Sequence, residues 1–214
     1  MKYILISTFL FLCVGHAQQS GPFQDEVLSI QKKYDGLWDA SKTTIVFTGS
    51  SSIRMWNNIQ DAFPEYQVIN SGFGGSMSSD LLIYTNELIL KYKPKKVFIY
   101  EGDNDIVAKV QTRDILENTR AIINRINAKD PKTEIVLISA KPSIARWGYR
   151  NKYKRLNRGF LRLSKKDDTI SYANVWEPML YKNKVRHDLF REDGLHMNSK
   201  GYDLWLSVIK DHVK

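Results

Sequence analysis

Three runs of small and polar residues each follow a short apolar segment: Gly49-Ser50-Ser51-Ser52, Asn70-Ser71-Gly72-Phe73-Gly74-Gly75-Ser76 and Glu101-Gly102-Asp103-Asn104-Asp105. A fourth cluster, Asp193-Gly194-Leu195-His196, precedes the final helical pattern. Between them they offer a hydroxyl nucleophile, a base with an acid three residues before it, and a supply of backbone and amide N–H donors. A serine hydroxyl is too weakly acidic to attack an ester unaided, so an imidazole must take its proton while a carboxylate orients the ring. Glycine-rich turns and an asparagine amide suit the oxyanion that such an attack creates.

Each cluster also has an ordinary reading, because Ser, Gly, Asn and Asp are the usual residues of turns and helix caps. Ser50 to Ser52 would serve as caps for a helix leading through Ile53 and Trp56. The glycine cluster lacks the lysine of a phosphate-binding loop and the spacing of a dinucleotide fingerprint, so nucleotide binding is not indicated. Among the histidines, His212 sits in the C-terminal tail, where a surface role is expected. His187 is adjacent to Asp188, and neighbouring side chains point apart, which leaves His196 as the preferred base.

The elements that must position these residues alternate. Phe23 to Leu37 reads as a helix. The runs Thr44 to Thr48, Tyr66 to Asn70, Lys96 to Glu101, Glu134 to Ala140 and Ile170 to Val175 read as strands, short and apolar on both faces. Such strands suit the middle of a parallel sheet covered by helices. Between them, Leu81, Thr85, Leu88 and Ile89 share one helical face, as do Ile115, Thr119, Ile122 and Ile126. The last helix, starting near Asn198 or Ser199, is expected to bury Leu204, Trp205, Val208 and Ile209. The fold class is therefore α/β, a three-layer α/β/α sandwich on a roughly five-stranded parallel sheet, with the functional crevice at the carboxyl ends of the strands.

At 214 residues and 43% hydrophobic, the chain is long enough for one sizeable core, and no repeat or Pro/Gly-rich linker divides it. Residues 1–17 resemble a cleaved signal peptide: Lys2, an apolar run from Tyr3 to Val14, then Gly15-His16-Ala17. That run of about 12 is short of the roughly 20 residues that span a bilayer, so no membrane span is expected. Leu12 before Cys13 argues against lipidation. Residues 18–214 then form a single exported domain, periplasmic or extracellular. Cys13 is the chain's one cysteine and leaves with the signal, so the mature chain has no disulfide or thiol nucleophile, and catalysis must use oxygen and nitrogen groups.

Much of the +9 net charge sits between Lys141 and Lys166, where ten basic residues occur without an acidic one. Within it Tyr149, Tyr153, Leu156, Phe160 and Leu163 form one buried helical stripe, so the favoured reading is a solvated helix face. The functional alternative is a site for an anionic ligand such as lipid headgroups or acidic polysaccharide, since clustered charge attracts polyanions. Nucleic acid is not an expected partner.

The four clusters, in this order, resemble the blocks of the SGNH (GDSL-like) hydrolase superfamily over nearly all of residues 18–214. The family's Gly-Asp-Ser block is similar to Gly49-Ser50-Ser51, with Ser50 where aspartate is usual. Alignment on Gly49 makes Ser51 the nucleophile. The resemblance implies His196 as general base, Asp193 as its orienting acid, and an oxyanion hole from the backbone N–H of Ser51, the backbone N–H of Gly75 and the side-chain amide of Asn104. Gly49 to Trp56, Gly72 to Ser76 and Lys141 to Trp147 look most like small bacterial acylhydrolases of lysophospholipase-like or acetylhydrolase-like kinds.

The expected activity is hydrolysis of short-chain acyl esters on a small molecule or polysaccharide, acetylated carbohydrate included, with no cofactor or metal required. Acyl length and the alcohol part depend on the loops near Trp56, Phe73, Trp147 and Trp176, whose tryptophans could stack on sugar rings, although tryptophans are more often core. Two rivals are a non-catalytic carbohydrate- or anionic-lipid-binding module on the same fold and a metal-dependent phosphoesterase using Asp103, Asp105, Asp193 and His196. Oxygen and imidazole groups suit divalent ions, which is what admits the second.

Overall fold

A computed structural model describes residues 22–213. The predicted signal segment and Cys13 lie outside the described residues. The chain runs α1 (Gln24–Asp35), β1 (Thr44–Gly49), α2 (Ser51–Arg54), β2 (Gln67–Gly72), α3 (Ser78–Ile83), α4 (Thr85–Leu88), β3 (Lys96–Tyr100), α5 (Asp103–Val107), α6 (Thr112–Lys129), β4 (Glu134–Ile138), α7 (Arg150–Ser164), β5 (Ile170–Ala173), a small hairpin of β6 (Leu180–Tyr181) and β7 (Lys184–Val185), and α8 (Ser199–Ile209). The hairpin has two residues per strand, too few for alternation to announce it.

The main sheet has five strands in the order β2-β1-β3-β4-β5, all parallel. Successive side chains of a strand face opposite ways, and each strand here feeds two cores. Val46, Val97, Ile99, Ile135 and Leu137 pack beneath α1, α3, α6 and α7. Ile45, Phe47, Phe98, Tyr100, Val136 and Ile138 pack with residues of α2 and α8 on the other face. Phe47 and Phe98 stack there with centroids 4.3 Å apart. This is the three-layer α/β/α arrangement expected from the sequence.

From β1 the chain passes to β2 on one side and then to β3 on the other. The order reverses at β1, and in open α/β sheets a crevice opens at the carboxyl ends around such a switch point. Gly49 is in register with both Gly72 and Tyr100. The runs that follow β1, β2 and β3 therefore leave the sheet side by side.

Two helical expectations need correction. Leu81, Thr85, Leu88 and Ile89 are all buried, but the helix carrying them is broken at Tyr84 into α3 and α4. The Thr85 hydroxyl bonds back to the carbonyls of Leu81 and Leu82 at 2.9 and 3.0 Å, a contact that bends helices. On α8 the buried face is Tyr202, Trp205 and Ile209, while Leu204 and Val208 are half-buried flanks. The helix is rotated so that Tyr202 can donate to the carbonyl of Ser52 at 3.1 Å, tying α8 to α2.

Candidate active site

Ser51 opens α2, directly after a turn that only glycine permits. Gly49 has φ +130°, and a Cβ there would lie 2.0 Å from the carbonyl oxygen of Tyr100. The backbone thus hugs the end of β3, with the Ser50 N–H donating to that same carbonyl at 3.2 Å. Ser50 is buried and caps α2 through its backbone, its carbonyl accepting from Ile53 and Arg54. Ser52 is buried as well, whereas Ser51 stays partly open to solvent.

The loop before α8 brings a base to that serine. Ser51 Oγ lies 3.1 Å from His196 Nε2, and His196 Nδ1 lies 2.6 Å from Asp193 Oδ2. The other oxygen of Asp193 accepts from the backbone N–H groups of Leu195 and His196, both at 2.9 Å. What burial this carboxyl has pushes it up; the bonds from the His196 ring and those two N–H groups outweigh it and hold Asp193 at about 2. The loop is braced by Arg191 N–H on the His196 carbonyl at 2.8 Å and by Asn198, which caps α8 and donates to the carbonyls of Asp188 and Phe190.

Two further strand ends supply N–H donors. Gly75 is exposed, has φ +82°, and a Cβ there would meet nothing within 4 Å. Among the described residues no oxygen accepts from the backbone N–H of Ser51 or of Gly75. Asn104, in α5, gives one Nδ2 hydrogen to the Ser76 carbonyl at 2.8 Å, which joins the second and third runs. The site so assembled holds a hydroxyl against an imidazole and an oriented carboxylate, and the neighbouring strand ends carry free backbone N–H groups and an amide. This is the equipment of acyl transfer.

The model of the GDSL-like Lipase/Acylhydrolase family matches residues 35–204. The chain belongs to that family. Among solved structures this acylhydrolase-type chain is similar to a Streptococcus pneumoniae protein provisionally named a platelet activating factor, with TM-score 0.77, 25% identity, and 89% of this chain and 94% of that one covered. It is also similar to a GDSL-like lipase from Bacteroides thetaiotaomicron VPI-5482, with TM-score 0.72, 22% identity, and 86% and 96% covered. A curated relative, N-acylneuraminate cytidylyltransferase of Escherichia coli O18:K1:H7 (strain RS218 / NMEC), is 28% identical over 186 residues, 81% of this chain and 41% of that protein. The chain thus spans about two fifths of that relative's length.

Within this GDSL-like scaffold the other expected residues fall as follows. His187 is exposed, and its neighbour Asp188 pairs instead with Arg186 at 3.0 Å. His212 is half-buried against the Ser171 hydroxyl at 3.1 Å. Trp56, Phe73 and Trp176 are core residues; Trp147 is half-buried and stacked on Trp176. Among the described residues the three acids and the imidazole of the phosphoesterase alternative are not gathered at one point. Asp105 accepts from the N–H and hydroxyl of Ser78, and Asp103 is enclosed by other partners.

Sequence reasoning missed those partners. Lys141 and Arg146 were grouped with the surface charges of residues 141–166, but Lys141 is 1% exposed and pairs with Asp103 Oδ2 at 3.6 Å, and Arg146 donates to Asp103 Oδ1 at 2.6 Å. Tyr100 and Tyr153 also donate to Asp103. Burial pushes the Asp103 carboxyl up, and the two cations outweigh it, so it lies below the usual range. Position would have flagged Lys141 and Arg146: they follow β4, the next strand end of the same crevice. Glu26 of α1 was missed too. It accepts from the Gly74 N–H at 2.9 Å and faces Arg54 at 3.4 Å, clamping the glycine loop from below.

Proposed function

We propose that this family member is an exported serine carboxylic-ester hydrolase acting on short acyl esters, with acetylated carbohydrate the favoured substrate class. The observation that carries the reading is the chain of contacts from Ser51 Oγ to His196 Nε2 to Asp193, 3.1 and 2.6 Å long. His196 Nε2 takes the Ser51 proton as the oxygen attacks the acyl carbon, while Asp193 holds the ring and stabilises its charge. The resulting oxyanion is met by the N–H groups of Ser51, Gly75 and Asn104. His196 then gives the proton to the departing alcohol, and a water deprotonated by the same nitrogen frees the acid and restores Ser51. Every step uses groups of this chain and water. The signal-like residues 1–17 support export, and export favours polysaccharide esters over intracellular thioesters.

The test is hydrolysis of p-nitrophenyl acetate, butyrate and octanoate by residues 18–214 and by Ser51→Ala, each with and without EDTA. Wild-type activity that is greatest on acetate, survives EDTA and falls to background in the variant is the expected result. EDTA-sensitive hydrolysis would favour the phosphoesterase reading, and ligand binding without hydrolysis the binding module.

A second component concerns α7. Arg150, Lys152, Lys154, Arg155, Arg158, Arg162, Lys165 and Lys166 are exposed, and none forms an ion pair with an acid among the described residues. Unpaired like charges on one face favour an anionic surface or polymer as the carrier of the ester.

A further inference from the structure

Arg146 stands 18% exposed between two acceptors that do different work. Its Nη1 donates to Asp103 Oδ1 at 2.6 Å and to the side-chain oxygen of Asn104 at 3.1 Å. Asp103 has other partners enough: Tyr153 and Tyr100 donate to its two oxygens, and Lys141 lies 3.6 Å away. The buried carboxylate would be neutralised by Lys141 without any arginine. The contact that only Arg146 makes in this cluster is the one to Asn104.

That contact decides which way the Asn104 carboxamide faces. Its oxygen meets the guanidinium, and its nitrogen meets the Ser76 carbonyl. Turned over, the amide would set N–H against N–H on one side and oxygen against oxygen on the other, two repulsive contacts in place of two bonds. With the amide held this way, Nδ2 keeps one hydrogen for Ser76 and has a second for the substrate. A cation on the amide oxygen also draws electron density from the nitrogen, making that N–H a better donor. Lys141 and Arg146 around the single charge of Asp103 leave an excess positive charge beside the position where negative charge develops.

The segment carrying Arg146 is itself fixed to the base. Ala145 N–H donates to the Gly194 carbonyl at 3.0 Å, and Gly194 packs so closely on Ile144 that a Cβ would lie 3.0 Å from it. One loop after β4 therefore touches both the Asp193–His196 turn and Asn104. We infer that Arg146 is a positioning residue of the oxyanion hole, acting through Asn104 by fixing the orientation and donor strength of its amide. The inference rests on the serine-esterase reading above.

The test is a double-mutant cycle on p-nitrophenyl acetate with wild type, Arg146→Met, Asn104→Ala and the double variant, with Ser51→Ala alongside and a thermal melt of each. Losing one oxyanion donor costs on the order of 10²- to 10³-fold in kcat, so Asn104→Ala should fall in that range and Arg146→Met about 10- to 100-fold, with KM nearly unchanged. Arg146→Lys, which keeps the charge, should fall between wild type and Arg146→Met. The double variant should match Asn104→Ala to within about threefold, because two residues acting through one interaction do not add. If the two losses multiply, or if Arg146→Met changes the melt and KM but not kcat, the inference is overturned while loss in Ser51→Ala leaves the esterase standing. Activity that survives Ser51→Ala, or no activity in wild type, overturns the esterase and the inference with it.

Discussion

Two carboxyls near the crevice are driven in opposite directions by their surroundings. Asp193 has a side chain 47% exposed, and its hydrogen bonds hold it at about 2, so it is ionised wherever an imidazole can act as a base. A carboxyl depressed on folding contributes stability above its ordinary value of 3.8 and loses it as pH falls toward 2, and here solvent screening keeps that contribution small. Glu101 is 2% exposed, and burial pushes it well above 4.5. Its Oε2 has no hydrogen-bond partner among the described residues, and its Oε1 lies 2.6 Å from the Ser76 hydroxyl, which also reaches the Phe73 carbonyl at 3.1 Å. A protonated Glu101 donating to Ser76, which donates onward to Phe73, satisfies that chain. Above 4.5 the unfolded chain loses a proton that the folded chain keeps, so stability falls as pH rises through the window up to the raised value. Glu101→Gln keeps a donor and removes the titration, so its melting temperature should gain on wild type as pH rises above 4.5. A gap that stays constant across that range would show that Glu101 is ionised in the fold.

At the scale of elements, α7 does two jobs on two faces. Tyr153, Leu156, Phe160 and Leu163 are buried, as their spacing of three and four requires, and Tyr153 reaches Asp103, next to the proposed oxyanion donor Asn104. The opposite face carries the unpaired basic residues proposed above to meet an anionic carrier. Reversing Arg155, Arg158 and Arg162 to Glu should make the protein leave an immobilised sulfated polysaccharide at markedly lower salt, since screened charge attraction is what holds it there. Unchanged elution would reduce that face to solvated charge. α1 has a comparable double role: Val27 and Tyr34 anchor it in the core, and Glu26 holds the Gly74 N–H next to Gly75.

Across the whole molecule, what could be seen in the sequence follows a physical division. β1 to β5 were legible because strands buried on both faces show as short apolar runs, and the small-residue clusters that hold Ser51, Gly75 and Asn104 stood out because they follow those runs, while the roles proposed for these residues came from the family resemblance. The helix break at Tyr84 was not, because it depends on where one threonine hydroxyl bonds. Lys141, Arg146, Glu26 and Glu101 were not, because a charge looks the same in sequence whether it is solvated or enclosed, and for Lys141 and Arg146 the one signal was their place after β4. The same holds for the aromatics: Trp56, Phe73 and Trp176 belong to the core. Among the described residues no helix is long and apolar enough to cross a membrane. The central claim concerns one oxygen atom among three adjacent serines, and covalent trapping addresses it most directly. Residues 18–214 would be treated with a fluorophosphonate, which forms a stable tetrahedral adduct on an activated serine, and the intact and digested protein weighed. One adduct per chain on Ser51, absent in Ser51→Ala and strongly slowed in His196→Ala, is the expected result. An adduct on Ser50 or Ser52, or labelling that survives Ser51→Ala, would contradict it.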